Sequence, residues 1–229
     1  MLCFAGICFA TFISNADILD EDMADITDWT DGDSGTGVSS QATFDSKSCM
    51  KLDTGANHST SNFSKRTRDV GTFGARTVFS INLYIDAGGT FSNDDDFNFI
   101  AFNGTNQCQI YFASDGVWVF DGATYNKITG SDAWIIEDAW QEWTLDVNWT
   151  TLTVDVYLNQ VLKASGIDCS ASSVNPNGLV WLYQYGKTTS NRISYIDWFK
   201  AGSDFVPDPT PPNVVLNGTV HLNGNVKLQ

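Results

Sequence analysis

The residues that could do chemistry in this chain are mostly carboxylates. Twenty-seven Asp and Glu stand against 12 Lys and Arg, a formal net charge of −15, and the only histidines are His58 and His221. His58 lies in a polar loop and His221 close to the C-terminus, so a His-centred triad with nucleophile and orienter has no evident site. Two carboxylates flanking a glycosidic bond suffice for hydrolysis, and the nearest such grouping is Glu137, Asp138 and Glu142. Asp28-Trp-Thr-Asp-Gly-Asp-Ser-Gly35 sets three carboxylates around a glycine turn within an acidic run from Asp17 to Asp33. Those are hard oxygen donors of the kind Ca²⁺ takes, although the spacing is not that of an EF-hand loop. Aromatic residues make up 13% of the chain, more than a small core needs. Trp118, Tyr125, Trp134 and Tyr185, with Tyr183, are the rings that could stack on sugar faces while Asp, Asn and Gln bond hydroxyls. The competing assignment for Trp118 and Tyr183 is packing within or across sheets.

These residues must be positioned by strands. In Trp140–Ala164, Trp143, Leu145 and Val147 alternate with polar residues, and after Asn148 to Thr151 so do Leu152, Val154, Val156 and Leu158. Period two means half-buried strands, and Asn159-Gln160 turns the chain into a third, Val161 to Ala164, giving a meander. Further strands are expected at Gln41 to Phe44, Ser48 to Leu52, Arg76 to Ile85, Phe97 to Phe102, Gln107 to Phe112, Val117 to Phe120, Gly178 to Tyr185 and Arg192 to Lys200. Gly- and Asn-rich turns separate them, as in a sandwich. Helical period is nowhere sustained; a turn near Asp132 to Ala139 is the one helix-like stretch. The fold expected is all-β, a two-sheet antiparallel jelly-roll β-sandwich spanning 26–202, with the seven apolar residues of the first two meander strands in its core.

The W-x-x-W-x-L-x-V strand at Trp140 followed by V-x-V-Y-L-N resembles the central hairpin of concanavalin A-like and laminin-G-like jelly rolls, and Ile193-Ser-Tyr-Ile-Asp-Trp-Phe-Lys-Ala-Gly202 resembles their closing strand. That resemblance implies glycan or protein binding, with glycanases among the relatives. It also implies a structural Ca²⁺ between an N-terminal segment and an Asp on the closing strand, here Asp197 with Asp28 or Asp31. The E-x-D-x-x-E strand of laminarinases is not matched by Glu137-Asp138 and Glu142. Jelly-roll alginate lyases carry three segments that this chain approaches in order with Lys65-Arg-Thr-Arg68, Gln109-Ile-Tyr111 and Trp198-Phe-Lys-Ala-Gly202. The family's His position falls on Tyr111 and its second Tyr on Asp204, which leaves the proton transfers of lysis without evident agents.

Beyond the sandwich, an apolar then acidic segment covers 1–25. Met1 to Ile13 is too short to span a bilayer; it reads either as a secretory apolar region without its positive start or as a terminus buried in its own sandwich or a neighbour. Five cysteines leave at least one thiol unpaired. Four of five prolines fall in a linker at 203–213, stiff because proline fixes φ. After it, 214–229 repeats LNGTVH as LNGNVK, with Leu216, Val220, Leu222, Val226 and Leu228 on one strand face. An apolar face with unpaired backbone needs a partner, so the tail is expected to join copies of this chain. The acidic balance excludes nucleic acid, whose phosphates require a basic patch. The expected function is a non-enzymatic assembly protein of a virion or extracellular filament, at the particle or cell exterior, that carries a lectin-like glycan-binding jelly roll. A polysaccharide lyase or glycoside hydrolase of the same fold is the alternative.

Overall fold

A computed structural model describes residues 12–14, 18–55, 62–86, 97–113, 115–185 and 192–207. In chain order the strands are β1 (Phe12–Ser14), β2 (Leu19–Glu21), β3 (Thr30–Asp31), β4 (Val38–Phe44), β5 (Lys47–Asp53), β6 (Phe63–Asp69), β7 (Arg76–Ile85), β8 (Phe97–Asn103) and β9 (Asn106–Ala113). They continue with β10 (Gly116–Phe120), β11 (Tyr125–Lys127), β12 (Trp140–Asn148), β13 (Thr153–Leu158), β14 (Val161–Asp168), β15 (Ala171–Ser172), β16 (Leu179–Tyr185), β17 (Ile193–Gly202) and β18 (Phe205–Pro207). A single 3₁₀ turn, Ser131–Ala133, occupies part of the helix-like stretch.

Two antiparallel sheets form a sandwich. The front sheet runs β11-β10-β9-β8-β16-β6-β3 with β15 beside β9, and the back sheet runs β14-β13-β12-β7-β17-β5-β4 with β2 beside β17. Their inner faces meet through ring contacts such as Phe79 on Phe99 at 5.0 Å and Phe112 on Trp143 at 4.8 Å. Trp143, Leu145, Val147, Val154, Val156 and Leu158 are buried in this core. Leu152 differs: it stands in the turn before β13 at φ 54°, half-buried against the core. The meander forms as expected, with Leu158 opposite Val161 and both turn residues, Asn159 and Gln160, at positive φ. Asn159 suits the first position because its side-chain oxygen accepts the Glu142 N–H at 3.0 Å while its own N–H bonds the Glu142 carbonyl.

Three features depart from the simple alternation. β6 and β11 are strands that apolar patterning misses, since β6 is FSKRTRD and β11 is YNK. β17 does not keep one period: Ser194 and Ile196 point inward, the register shifts between Ile196 and Trp198, and Phe199 and Ala201 point inward after it. Asp197 stays on the outer face with Ile193 and Tyr195, and the bulge turns Phe199 inward, so the alternation that would put Ile193, Tyr195, Asp197 and Phe199 on one face breaks at Phe199. Leu19–Glu21, ahead of the expected sandwich boundary, pairs with β17, and β1 pairs with β18, with Ile13 opposite Val206. β2 thus joins the back sheet from before 26, while β1 and β18 form a separate two-stranded ribbon.

Cys49, Cys108 and Cys169 are buried free thiols; a hydrogen bond with Cys169, and then burial, hold the Cys108 thiol well above its usual pKa. No helix among the described residues is long and apolar enough to cross a membrane. The tail residues Leu216, Val220, Leu222, Val226 and Leu228, with both histidines, lie outside the described residues.

Candidate functional site

The outer face of the front sheet is where rings and amides collect. On β16, Val180, Leu182 and Gln184 are buried, so Leu179, Trp181, Tyr183 and Tyr185 alternate outward. Strand pairing then lines up two rows across six strands. One row is Lys65, Tyr183, Asn98, Tyr111, Trp118 and Lys127; the next is Thr67, Trp181, Ile100, Gln109, Phe120 and Tyr125. At about 4.8 Å between strands the rows extend roughly 24 Å, the scale of a short oligomer rather than a single small molecule. Between them a groove of about 180 Å³ is lined by Phe63, Lys65, Ile100, Gln109, Trp181 and Tyr183.

Ring and amide contacts fix the groove's shape. Trp118 stacks on Tyr111 at 5.7 Å and 7°, and its indole N–H donates to Asp115 at 3.0 Å. Tyr125, 42% exposed, sets its edge on Tyr111 at 4.9 Å and accepts the Gln109 amide at 2.8 Å. Phe63 meets Tyr183 edge-on at 5.5 Å, and Tyr183 lies 5.8 Å from Tyr185. At the β11 rim Lys127 bridges Asp132 at 2.6 Å and Asp115 at 3.5 Å; the hydrogen bond with Asp132 raises the Lys127 pKa and lowers that of Asp132. Among the described residues the groove lining holds no carboxylate and no histidine.

Of the rings expected to meet a sugar, Trp118, Tyr125 and Tyr185 are on this face. Trp134 is not: it follows the 3₁₀ turn, packs half-buried against the core, and its carbonyl accepts the Gln141 amide at 2.7 Å. Trp181, Phe63 and Ile100 escaped the sequence reading, although the β16 alternation of rings with aliphatic residues carries the signal for Trp181. Lys65 and Gln109 entered it only as parts of lyase-like segments. Those segments do not converge. β6 and β9 belong to the front sheet while Trp198–Gly202 belongs to the back sheet. Arg66 is spent on the carbonyls of Trp29 and Ser39, and Arg68 on Glu21 and Asp28.

The carboxylates singled out for chemistry are also dispersed. Asp138 accepts the Tyr84 hydroxyl at 3.3 Å and Glu142 the Gln160 amide at 3.2 Å, both on the back sheet's side, and burial raises the Glu137 carboxyl. Asp197 pairs with Lys47 and accepts the Asn82 amide at 3.0 Å. Asp28 pairs with Arg68 at 3.0 Å, and Asp31 accepts the Asp33 backbone N–H at 2.9 Å. Asp33 in turn bonds Ser39 and the Lys65 N–H, so the acidic run is used largely to tie loop backbone. No three His, Cys, Asp or Glu side chains gather as a metal-ligand group among the described residues.

Fold and face together define a jelly-roll sandwich with an aromatic, amide-bearing groove on one sheet. No family model matches the chain, and no curated protein matches it in sequence. Among solved structures it is similar to the cellulose induced protein Cip1 (TM-score 0.59, 13% identity, 81% of this chain and 97% of that one). It is similar to a carbohydrate esterase from the Shiga toxin-encoding bacteriophage phi24B (0.54, 11%, 78% and 91%) and to the alginate lyase vAL-1 from Chlorella virus (0.51, 15%, 77% and 93%). At these identities the likeness is one of fold.

Proposed function

We propose that this chain is a carbohydrate-binding jelly roll that holds a glycan along the outer face of its front sheet without cleaving it. The observation that carries the reading is the pair of rows crossing six strands into the groove, which gives sugar faces rings to stack on and hydroxyls Gln109 to bond. The names of the similar structures, a cellulose induced protein, a carbohydrate esterase and an alginate lyase, add support for a glycan ligand. Binding without cleavage is favoured because the described lining residues include no carboxylate pair of the kind glycoside hydrolysis uses and the lyase-like segments divide between two sheets. A glycan array followed by product analysis tests it: retention without product is expected, and release of shortened or unsaturated sugars would make the chain an enzyme.

The same proposal places the sandwich at the exterior of a virion or filament, joined to its copies by the tail carrying Leu216, Val220, Leu222, Val226 and Leu228. The tail's period-two apolar face supports this reading, as does the viral or phage origin of two similar structures. Truncation after Pro212 is expected to abolish self-association in sedimentation; an unchanged oligomer would remove the tail from assembly.

A further inference from the structure

Lys65 is unusual among the cations of this chain. With 27 acidic residues against 12 basic ones, most described lysines and arginines stand beside a carboxylate: Lys47 with Asp197, Lys51 with Asp53, Arg68 with Glu21, Arg76 with Asp146, Lys127 with Asp132, Lys200 with Asp20. Lys65 has no carboxylate within ion-pair distance among the described residues. Its ammonium instead lies 4.4 Å from the Trp181 ring centroid and 5.9 Å from that of Phe63, inside the groove.

The side chain is held there. A methyl group at Gly32 would come within 2.4 Å of Lys65 Cε, so the lysine stem runs directly over that glycine. The Gly32 N–H donates to the Lys65 carbonyl at 3.0 Å, and Asp33 accepts the Lys65 N–H at 2.7 Å. Gly32 has an ordinary backbone conformation, so space for the stem is what a larger residue there would remove. A cation fixed over a ring, with no carboxylate among the described lining residues, gains most from an anion that covers it and excludes water.

We infer that the groove selects an acidic glycan, one whose sugar ring packs on Trp181 and Phe63 while its carboxylate or sulfate meets Lys65 Nζ. The inference rests on the glycan-binding reading above and names its substrate class. An ammonium is a point charge without the planar fork of arginine, so it serves carboxylate and sulfate alike.

Calorimetry on the full chain tests it with three probes: an oligogalacturonate, the same oligomer with its carboxyl groups reduced to alcohols, and a sulfated neutral galactan oligomer. At least one anionic probe is expected to bind about tenfold tighter than the reduced oligomer, an advantage that shrinks as salt is raised; which of the two does so identifies the anion. Lys65→Met should bring the anionic probe to the affinity of the reduced one, and Gly32→Ala, which displaces the stem while keeping the charge, should lose part of the preference. Melting curves confirm that both variants fold, and if Gly32→Ala does not, Lys65→Met alone decides. Equal binding of reduced and anionic oligomers overturns the acidic selection and leaves glycan binding standing. Binding of none of the three on a chain that also fails the array overturns both.

Discussion

The two outer faces of this sandwich are built from the same materials and end in opposite conditions. On the back sheet Phe44 stacks on Tyr195 at 4.0 Å and 6°, and touches Tyr84 at 4.7 Å and Trp140 at 6.2 Å. The Trp140 indole N–H goes to Asp45 at 3.1 Å, the Tyr84 hydroxyl to Asp138, and Lys47 to Asp197. Burial raises the phenols of Tyr84 and Tyr195. A hollow of about 370 Å³ beside these residues is larger than the front groove. Size is nevertheless the weaker guide, because the back rings face one another and the Trp140 indole, the Tyr84 hydroxyl and Lys47 already have partners. The front groove offers less space and keeps Lys65 on Trp181 with no counter-ion among the described residues. An aromatic cluster that satisfies itself stabilises a fold, whereas one that leaves a cation unpaired is organised for something that arrives.

The sharpest way to break this comparison is to remove one large ring from each face. Trp181→Ala is expected to cost glycan binding about 2 kcal/mol, roughly thirtyfold, as for a central buried anchor. Trp140→Ala should leave binding unchanged. Titration of both variants with the glycan found on the array checks this; an equal loss in both would deny the faces different roles.

Stability should show the reverse asymmetry, with a smaller effect. Phe44 ends β4, where Asp45 and Ser46 at φ 51° and 63° turn the chain back into β5 and fold the ring onto the sheet. Phe44→Ala deletes three ring contacts at a half-exposed site and is expected to destabilise by about 1 kcal/mol in urea unfolding. Glycan affinity should not change. A variant that keeps its stability and loses binding would reverse the assignment of the faces.

The sequence made the strands legible wherever one face is apolar, and for that reason the core residues of β12 and β13 were placed correctly except Leu152, which a positive-φ turn takes out of the strand. It could not reveal β6, whose FSKRTRD pattern has too few apolar residues to show a period, and β6 is the strand that brings Lys65 to the groove. Phe199 was misplaced relative to Asp197 because a bulge after Ile196 changes the facing of the residues beyond it without altering the local composition. Trp134 and Trp118 look alike in one dimension; what separates them is that one follows a 3₁₀ turn toward the core and the other sits mid-strand on the outer face. Pairing order decided the lyase-like segments, since three motifs in the right sequence order still fall on two sheets.

The smallest effect concerns how Tyr125 is held at the groove's end. Asp121, just before β11, accepts the backbone N–H groups of Thr124 at 2.7 Å and Ala123 at 2.8 Å and the Asn126 amide at 2.7 Å. The Thr124 N–H, then Ala123 and then Asn126, hold its carboxyl below the usual carboxylate range. A carboxyl depressed in the folded state is protonated at higher pH once the turn opens, so its bonds contribute fully at neutral pH and are lost as pH falls through the folded value. Acidification should therefore loosen the β10–β11 turn and release Tyr125 before the sandwich melts, followed by the Tyr125 ring signals in NMR. Asp25 is depressed likewise, by the Thr27 backbone N–H, in the loop between β2 and β3 rather than beside Tyr125. At neutral pH Asp121→Ala is expected to weaken glycan binding roughly two- to threefold, the scale of a surface-turn change. Asp25→Ala, with the same kind of bond at a turn that does not carry the groove, should leave affinity where it was; a matching loss would mean that loosening any acidic turn, and not the placement of Tyr125, governs the front face.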